Sequence, residues 1–221
     1  MNGARFRDRF HAGRRLAAVL APYAGRPNLL VLALPRGGVP IGYEVARALH
    51  APLDLMLVRK LGVPGHEELA MGAIASGGIR VLSNDVVAAF GIPERVIAAV
   101  AAREEEELDR REREYRDDRS PPEVRGRTVI LVDDGLATGA TMRAAAVALR
   151  AQHPERLVIA VPVAPLETCA ALKHEADDVV CAHSPEPFFA VGNWYEDFSQ
   201  TTDAEVRELL RLANASVEVP P

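Results

Sequence analysis

Cysteine is scarce in this chain: Cys169 and Cys181 are the only two. Two thiols make no disulfide framework of the kind that small secreted domains depend on. The six histidines show no ligand-like spacing with them, so no zinc motif is present, and a reducing cytoplasm is the simplest expected setting. Long apolar runs are also missing. None approaches the roughly 18 residues that cross a bilayer, which excludes an integral-membrane reading. Near the start, Arg14-Arg15 precedes the apolar Leu16 to Ala21, but that run is short and ends at Pro22, so it does not read as a leader. Phe6, Phe10, Leu16 and Leu20 instead suggest one side of an amphipathic helix, against which Gly13 counts. Nor is there an excess of positive charge. Lys and Arg number 26 against 31 Asp and Glu, a formal net charge of -5, so nothing draws the chain generally toward nucleic acid or an anionic membrane. Any phosphate binding must come from local loops. Internal repeats and low-complexity tracts are absent.

With 221 residues, 48% of them hydrophobic, the chain suits one α/β domain with an elaboration. Its most informative stretch runs from Val129 to Thr141. Val129-Ile130-Leu131-Val132 lacks polar alternation and reads as a strand buried on both faces. Asp133 and Asp134 follow, then Gly135-Leu136-Ala137-Thr138-Gly139-Ala140-Thr141, then a helical run from Met142 to Arg150. A helix start offers unpaired N–H groups and the positive end of a dipole, so this loop is an anion site, with hydroxyls from Thr138 and Thr141. The two aspartates would repel the same phosphate. A ligand that satisfies both halves presents hydroxyls to the acids and a phosphate to the loop, as a sugar phosphate does. The competing readings are solvated acids at an ordinary strand-helix junction and an acidic metal pocket. A P-loop is excluded, since no Lys follows the glycines.

Two more apolar runs end in loops with the same potential. Leu29 to Leu34 leads into Pro35-Arg36-Gly37-Gly38 and a helix from Ile41 to Leu49; Leu53 to Val58 delivers Arg59-Lys60 at its expected C-terminal end. Further strands are expected at 157–163 and 178–182, separated by a helix at 166–174. Strands alternating with helices predict a Rossmann-like, mostly parallel five-stranded sheet flanked by helices, with these loops along one carboxyl edge. Ala70 to Ser76 and Ile79 to Ser83 suggest a hairpin around Gly77-Gly78. The charge-dense stretch from Pro93 to Arg119 reads as a solvated helix with pairs such as Glu106 with Arg110 and Glu107 with Arg111. Phe188, Phe189, Trp194, Tyr195 and Phe198 cluster toward the end; Trp194 and Tyr195 are the better ligand candidates, because their rings can stack on a heterocycle while a polar edge finds a partner. Thr202 followed by Glu205 is a capping signal for a last helix.

The stretch from Val129 to Thr141 closely resembles the 5-phosphoribosyl-1-pyrophosphate (PRPP) motif of the type I phosphoribosyltransferases: four hydrophobic residues, two acids, and a loop ending Thr-Gly-x-Thr. Pro35-Arg36-Gly37-Gly38 resembles the family's pyrophosphate loop with Arg in place of Lys. Arg59-Lys60 looks like the pair that opens the mobile loop of adenine phosphoribosyltransferases, and residues 189–198 faintly resemble the hood of the purine enzymes. The resemblance covers residues 28 to 183 and implies one domain over 1–221, with a lid and charged helix inserted at 61–119 and a small hood from 1–25 and 184–221. It implies transfer of a phosphoribosyl group from PRPP to a nitrogen acceptor such as a nucleobase, with release of pyrophosphate. Asp133 and Asp134 would hold the ribose hydroxyls; Ala137, Thr138, Gly139, Ala140 and Thr141 the 5-phosphate; and Arg36, Gly37, Gly38, Arg59 and Lys60 the pyrophosphate. Trp194, Tyr195 and Asp197 would contact the acceptor. Magnesium would travel mainly with PRPP, touching Asp133 and Asp134, and a cytoplasmic homodimer is expected. By the same resemblance the Pro35-Arg36 peptide is cis, residues 61–78 close as a lid, and Ala137 stands where hypoxanthine-guanine enzymes carry an Asp, as in adenine enzymes. A PRPP-binding regulator without turnover is the alternative.

Overall fold

The computed structural model describes residues 5–116 and 120–215. In chain order the strands are β1 (Leu29–Ala33), β2 (Leu53–Leu55), β3 (Val58–Val63), β4 (His66–Ala75), β5 (Ile79–Leu82), β6 (Thr128–Val132), β7 (Arg156–Val163) and β8 (Asp178–His183). The helices are α1 (Arg9–Val19), α2 (Gly38–Leu49), α3 (Asn84–Ala89), α4 (Glu94–Arg116), α5 (Ala140–Arg150), α6 (Leu166–Leu172) and α7 (Asp203–Ala215). Five strands make the expected parallel sheet, in the order β2-β1-β6-β7-β8.

Why β1, and β6 from Val129 onward, are apolar follows from the pleat. Val31, Ile130 and Val158 point into one buried cluster with Leu16, Ile41 and Val206, while Leu30, Leu131 and Ile159 point into another with Met142, Ala146 and Leu149. Successive side chains face opposite sides, and helices cover both sides, so no position is left for a polar residue. Register then does the positioning. Ala33 pairs with Val132, and Val132 with Ala160, so the loops that follow β1 and β6 emerge side by side at one edge.

Several expectations need correction. The second apolar run does not carry Arg59-Lys60 at its end: β2 stops at Leu55, and both cations lie inside β3, which belongs to a separate antiparallel sheet in the order β3-β4-β5. The expected hairpin is present at β4-β5, with Gly77 (φ 83°) and Gly78 (φ 73°) in the left-handed geometry such a tight turn demands. Residues 61–78, expected as a glycine-rich lid, are therefore mostly paired strand, with Leu61, Val63, Met71 and Ile74 buried. The charged helix α4 is not solvated all round. Ile97, Ala101, Leu108 and Tyr115 form a buried seam, Glu104 and Arg116 are buried too, and Arg110 turns to Glu107 and Glu114 rather than Glu106. The Glu107–Arg111 pair forms as expected, at 2.8 Å.

The cysteines correct another inference. Cys169 on α6 and Cys181 on β8 are joined as a disulfide, with Cα atoms 6.6 Å apart, because the β7-α6-β8 crossover lays the helix against the strand it leads to. Two cysteines are too few for a framework but enough for one staple, so their number says nothing about compartment. Of the four apolar residues expected along the first helix, Leu16 and the C-cap Leu20 are buried, Phe6 lies ahead of α1 and is buried too, and Phe10 is 37% exposed. Gly13 is explained by packing: a Cβ there would lie 2.9 Å from Cβ of Glu44 and 3.1 Å from Cα of Ile41 on α2. The last helix starts as read, with Glu205 accepting from the Thr202 amide and Thr202 Oγ1 accepting from the Glu205 amide.

Candidate active site at the carboxyl edge of the parallel sheet

The two acids directly follow β6 and are half-buried. Asp133 Oδ1 accepts the Asp134 amide at 2.8 Å, and Asp134 Oδ2 accepts Arg9 Nε at 2.8 Å. Arg9 comes from the first turn of α1. Its other contacts lie in residues 198–199: the guanidinium sits 4.0 Å from the Phe198 ring centre, and it donates to the Ser199 carbonyl at 2.6 Å. The chain ends are zipped around this pair. The Phe6 amide donates to the Trp194 carbonyl, the Glu196 amide to the Phe6 carbonyl, and the Tyr195 hydroxyl to the Asp134 carbonyl. Nothing in the sequence near the motif signals Arg9, which is 125 residues away.

Gly37 and Gly38 have a role that their turn-like sequence conceals. A Cβ on Gly37 would lie 2.0 Å from Asp134 Oδ2, and one on Gly38 would lie 2.9 Å from the Val132 carbonyl oxygen and 3.0 Å from Cα of Asp133. The first loop is thus pressed against the acids of the second. The Pro35-Arg36 peptide is cis, as the resemblance implied.

Burial pushes the Asp133 carboxyl well above the ordinary carboxylate range, and the neighbouring Asp134 charge adds to the shift. Asp134 is raised by burial and partly held down by Arg9. A carboxyl whose folded pKa exceeds its unfolded value near 3.9 contributes stability below that value, and this is lost as pH rises through the folded pKa. Ionised Asp133 is therefore a cost at neutral pH. Asp133→Asn keeps an acceptor for the Asp134 amide and removes the charge, so the variant should melt higher than the parent at pH 7, by a margin on the order of 1 kcal/mol or more. The gain should shrink as pH falls toward 4. Equal melting temperatures at pH 7 would show that Asp133 is not desolvated.

The loop at residues 137–141 leads into α5, with Gly139 at φ 71° as the N-cap. Ala137, Thr138 and Thr141 are exposed, and the first-turn amides have no acceptor within the helix. The loop's shape is set from outside. Thr168 Oγ1 on α6 donates to the Ala137 carbonyl at 2.8 Å, and a Cβ on Gly139 would meet Cγ2 of Thr168 at 2.9 Å.

Beside it lies a cleft of about 470 Å³, bounded by Pro35, Thr141, Arg59 and Lys60 and, from α4, by Arg103, Glu104 and Arg111. The fold thus brings Arg59 and Lys60 to the two loops, although from β3. Glu104 is the acid that the sequence reading missed. It accepts Arg59 Nε at 2.8 Å and Arg103 Nη2 at 2.9 Å. Burial acts to raise its pKa, but the hydrogen bonds from Arg59 and Arg103 outweigh this and hold it below the usual range. Arg36, expected beside the other cations, instead faces Asp203 on α7 at 3.6 Å.

Of the two aromatics chosen from the sequence, Tyr195 is buried and Trp194 is half-buried. Tyr195 is buried between Phe6 and Phe198, and its hydroxyl is raised mainly by burial. Trp194 packs against the core with its edge contacting His183, the ring centres 5.2 Å apart. Asp197 is exposed and accepts the Ser199 amide, which lowers its pKa. The most exposed aromatic of this group is Phe189, 80% exposed and two residues before Val191, whose Cγ1 would lie 2.6 Å from a Cβ on Gly135.

Two Mycobacterium tuberculosis proteins, each provisionally named a phosphoribosyl transferase, are 46% identical to this chain over 209 residues; the match covers 95% of this chain and 47% of theirs. The chain therefore spans about half the length of the curated relatives it matches. The crystal structure of TT1426 from Thermus thermophilus is 45% identical, with a TM-score of 0.85 over 93% of this chain and 97% of that one. Residues 6–196, which reach from Phe6 through the two acids and their loop to Glu196, match the model of the phosphoribosyl transferase domain, and the chain belongs to that family.

Proposed function

We propose that the chain is a PRPP-dependent phosphoribosyltransferase that passes the 5-phosphoribosyl group to a ring nitrogen of a planar acceptor and releases pyrophosphate. One observation supports this reading: the β1–β6 register sets Asp133, Asp134 and the loop at 137–141 beside the loop at 35–38, next to a cleft that Arg59, Lys60 and Arg103 line. The acceptor nitrogen's lone pair attacks C1 of the ribose as the C1–O bond to pyrophosphate breaks, and positive charge gathers on the sugar in between. Asp133 and Asp134 hold the ribose hydroxyls, and residues 137–141 hold the 5-phosphate. Arg59 and Lys60 face the leaving pyrophosphate, where its negative charge builds up. Arg36 joins them only by leaving Asp203. Arg9 must likewise yield its place on Asp134 for the hydroxyls to bind. Among the described residues no cluster of three His, Cys, Asp or Glu could hold a metal, and two carboxylates are too few for an all-protein cage. Magnesium fits as an ion brought by PRPP, with Asp133 and Asp134 beside it, and it would neutralise the departing pyrophosphate.

The acceptor is expected to stack on Phe189. Phe189→Ala should raise the acceptor KM by roughly 5- to 150-fold, from about 1 to 3 kcal/mol of stacking, and leave the PRPP constant unchanged. Trp194→Ala should instead lower the melting temperature. The reverse pattern would return the base to Trp194. With Ala137 carrying no carboxylate, hypoxanthine and guanine are expected to be poor acceptors.

Incubating the protein with PRPP, magnesium and a panel of bases, and following pyrophosphate, tests the central reading. Binding of PRPP with no pyrophosphate from any base would favour a sensor. The pairing of Arg59 with Glu104 and of Asp134 with Arg9 is the observation on that side. A homodimer is proposed, and sedimentation would decide it.

A further inference from the structure

A second cavity, of about 210 Å³, lies behind the hood between α1, the residues leading into it and the end of β8. It has a consistent chemistry. Arg5, His11, Arg15 and His183 converge on it from three parts of the chain, and among the described residues no carboxylate lines it, although acids outnumber bases in the chain as a whole. Arg5 and Arg15 are exposed at the mouth, while Phe6 and Ala182 contribute apolar wall. His11 Nδ1 accepts the Arg7 amide, so a neutral His11 carries its proton on Nε2 and is a donor there. His183 Nε2 is buried without a hydrogen-bond partner among the described residues. A buried polar atom of that kind needs a partner, and two arginines repel a cation and favour an oxyanion.

We propose that this cavity binds a small oxyanion of the phosphate type, at a site separate from the loop at residues 137–141. Arg5 and Arg15 would supply charge at the mouth, and His183 and His11 the donors deeper in. The position gives such a ligand a route to the acids at the end of β6. His183 contacts Trp194, whose carbonyl accepts the Phe6 amide at 2.8 Å, and the next residue, Tyr195, donates to the carbonyl of Asp134. An anion on His183 would therefore stiffen the zipped hood from behind. The assignment does not rest on the phosphoribosyl transfer reading.

The test is to titrate inorganic phosphate into the full chain with ¹⁵N-labelled histidine, the His183 ring signals being assigned with His183→Gln. A saturable shift of His183 is expected in the parent. It should persist in Thr138→Ala/Thr141→Ala, which weakens the phosphate loop, and weaken at least tenfold in Arg5→Ala/Arg15→Ala, whose exposed positions leave folding intact. No shift at His183 would overturn the assignment. So would a shift that disappears with the threonine pair or is indifferent to the arginine pair.

Discussion

Asp134→Asn is expected to lower PRPP-dependent release of pyrophosphate by about a hundredfold or more. The carboxylate follows β6, beside the loop proposed to hold the 5-phosphate, and as an anion it can accept from two hydroxyls at once. Hydrogen bonds to a charged group contribute about 1.5 to 3 kcal/mol each, and 1.4 kcal/mol is a factor of ten, so weakening two of them accounts for the expected loss. An amide keeps the shape but offers one acceptor and an unwanted donor. The same change removes the ion pair with Arg9, whose side chain is only 11% exposed, so a fall in melting temperature should accompany it. Stability and function separate in calorimetry with PRPP and magnesium below the melting transition. If affinity and turnover both survive there, Asp134 does not hold the ribose, and the reading of the motif fails.

Gly37→Ala should be nearly as damaging by a purely steric route. The added methyl would lie 2.0 Å from Asp134 Oδ2, 2.7 Å from its Cγ and 3.2 Å from Arg9 Nε. Neither partner can retreat freely: Asp134 is tied to Arg9, and Arg9 to Phe198 and Ser199. Either the first loop lifts away from β6 or the carboxylate rotates out of the site. Overpacking of this kind costs about 1 to 3 kcal/mol. The expected result is a lower melting temperature together with loss of PRPP turnover. Parent-like turnover in a folded Gly37→Ala protein would mean that the close approach of the two loops is not needed for the chemistry.

Much of this site was legible in the chain because its determinants are local. A run such as Val129 to Val132 leaves polar groups nowhere to go, so it fits a strand covered on both faces. A helix starting at Ala140 places unpaired amides beside Gly139 whatever the rest of the fold does. Alternation of strands with helices was enough for a parallel sheet with its loops along one edge. The cations after β2, Arg59 and Lys60, line one cleft with Thr141, although they reach it on a strand of another sheet.

What escaped sequence reading were the partners, since a charge or a ring says nothing about what the fold will set against it. Arg9 finds Asp134 across 125 residues, Glu104 finds Arg59 across 45, and Thr168 finds Ala137 across 31. Cys169 and Cys181 read as two isolated thiols until the crossover through α6 joined them. Among the clustered aromatics, burial alone separated Tyr195 from Phe189, because the zipped chain ends enclose one ring and leave the other open. By itself the sequence determined where the loop at residues 137–141 and the two acids before it stand, between β6 and α5, through backbone geometry that a dozen adjacent residues dictate. Only the tertiary structure decided which side chains neutralise, shield or expose them, since those contacts join segments that meet only when the sheet and its helices have closed.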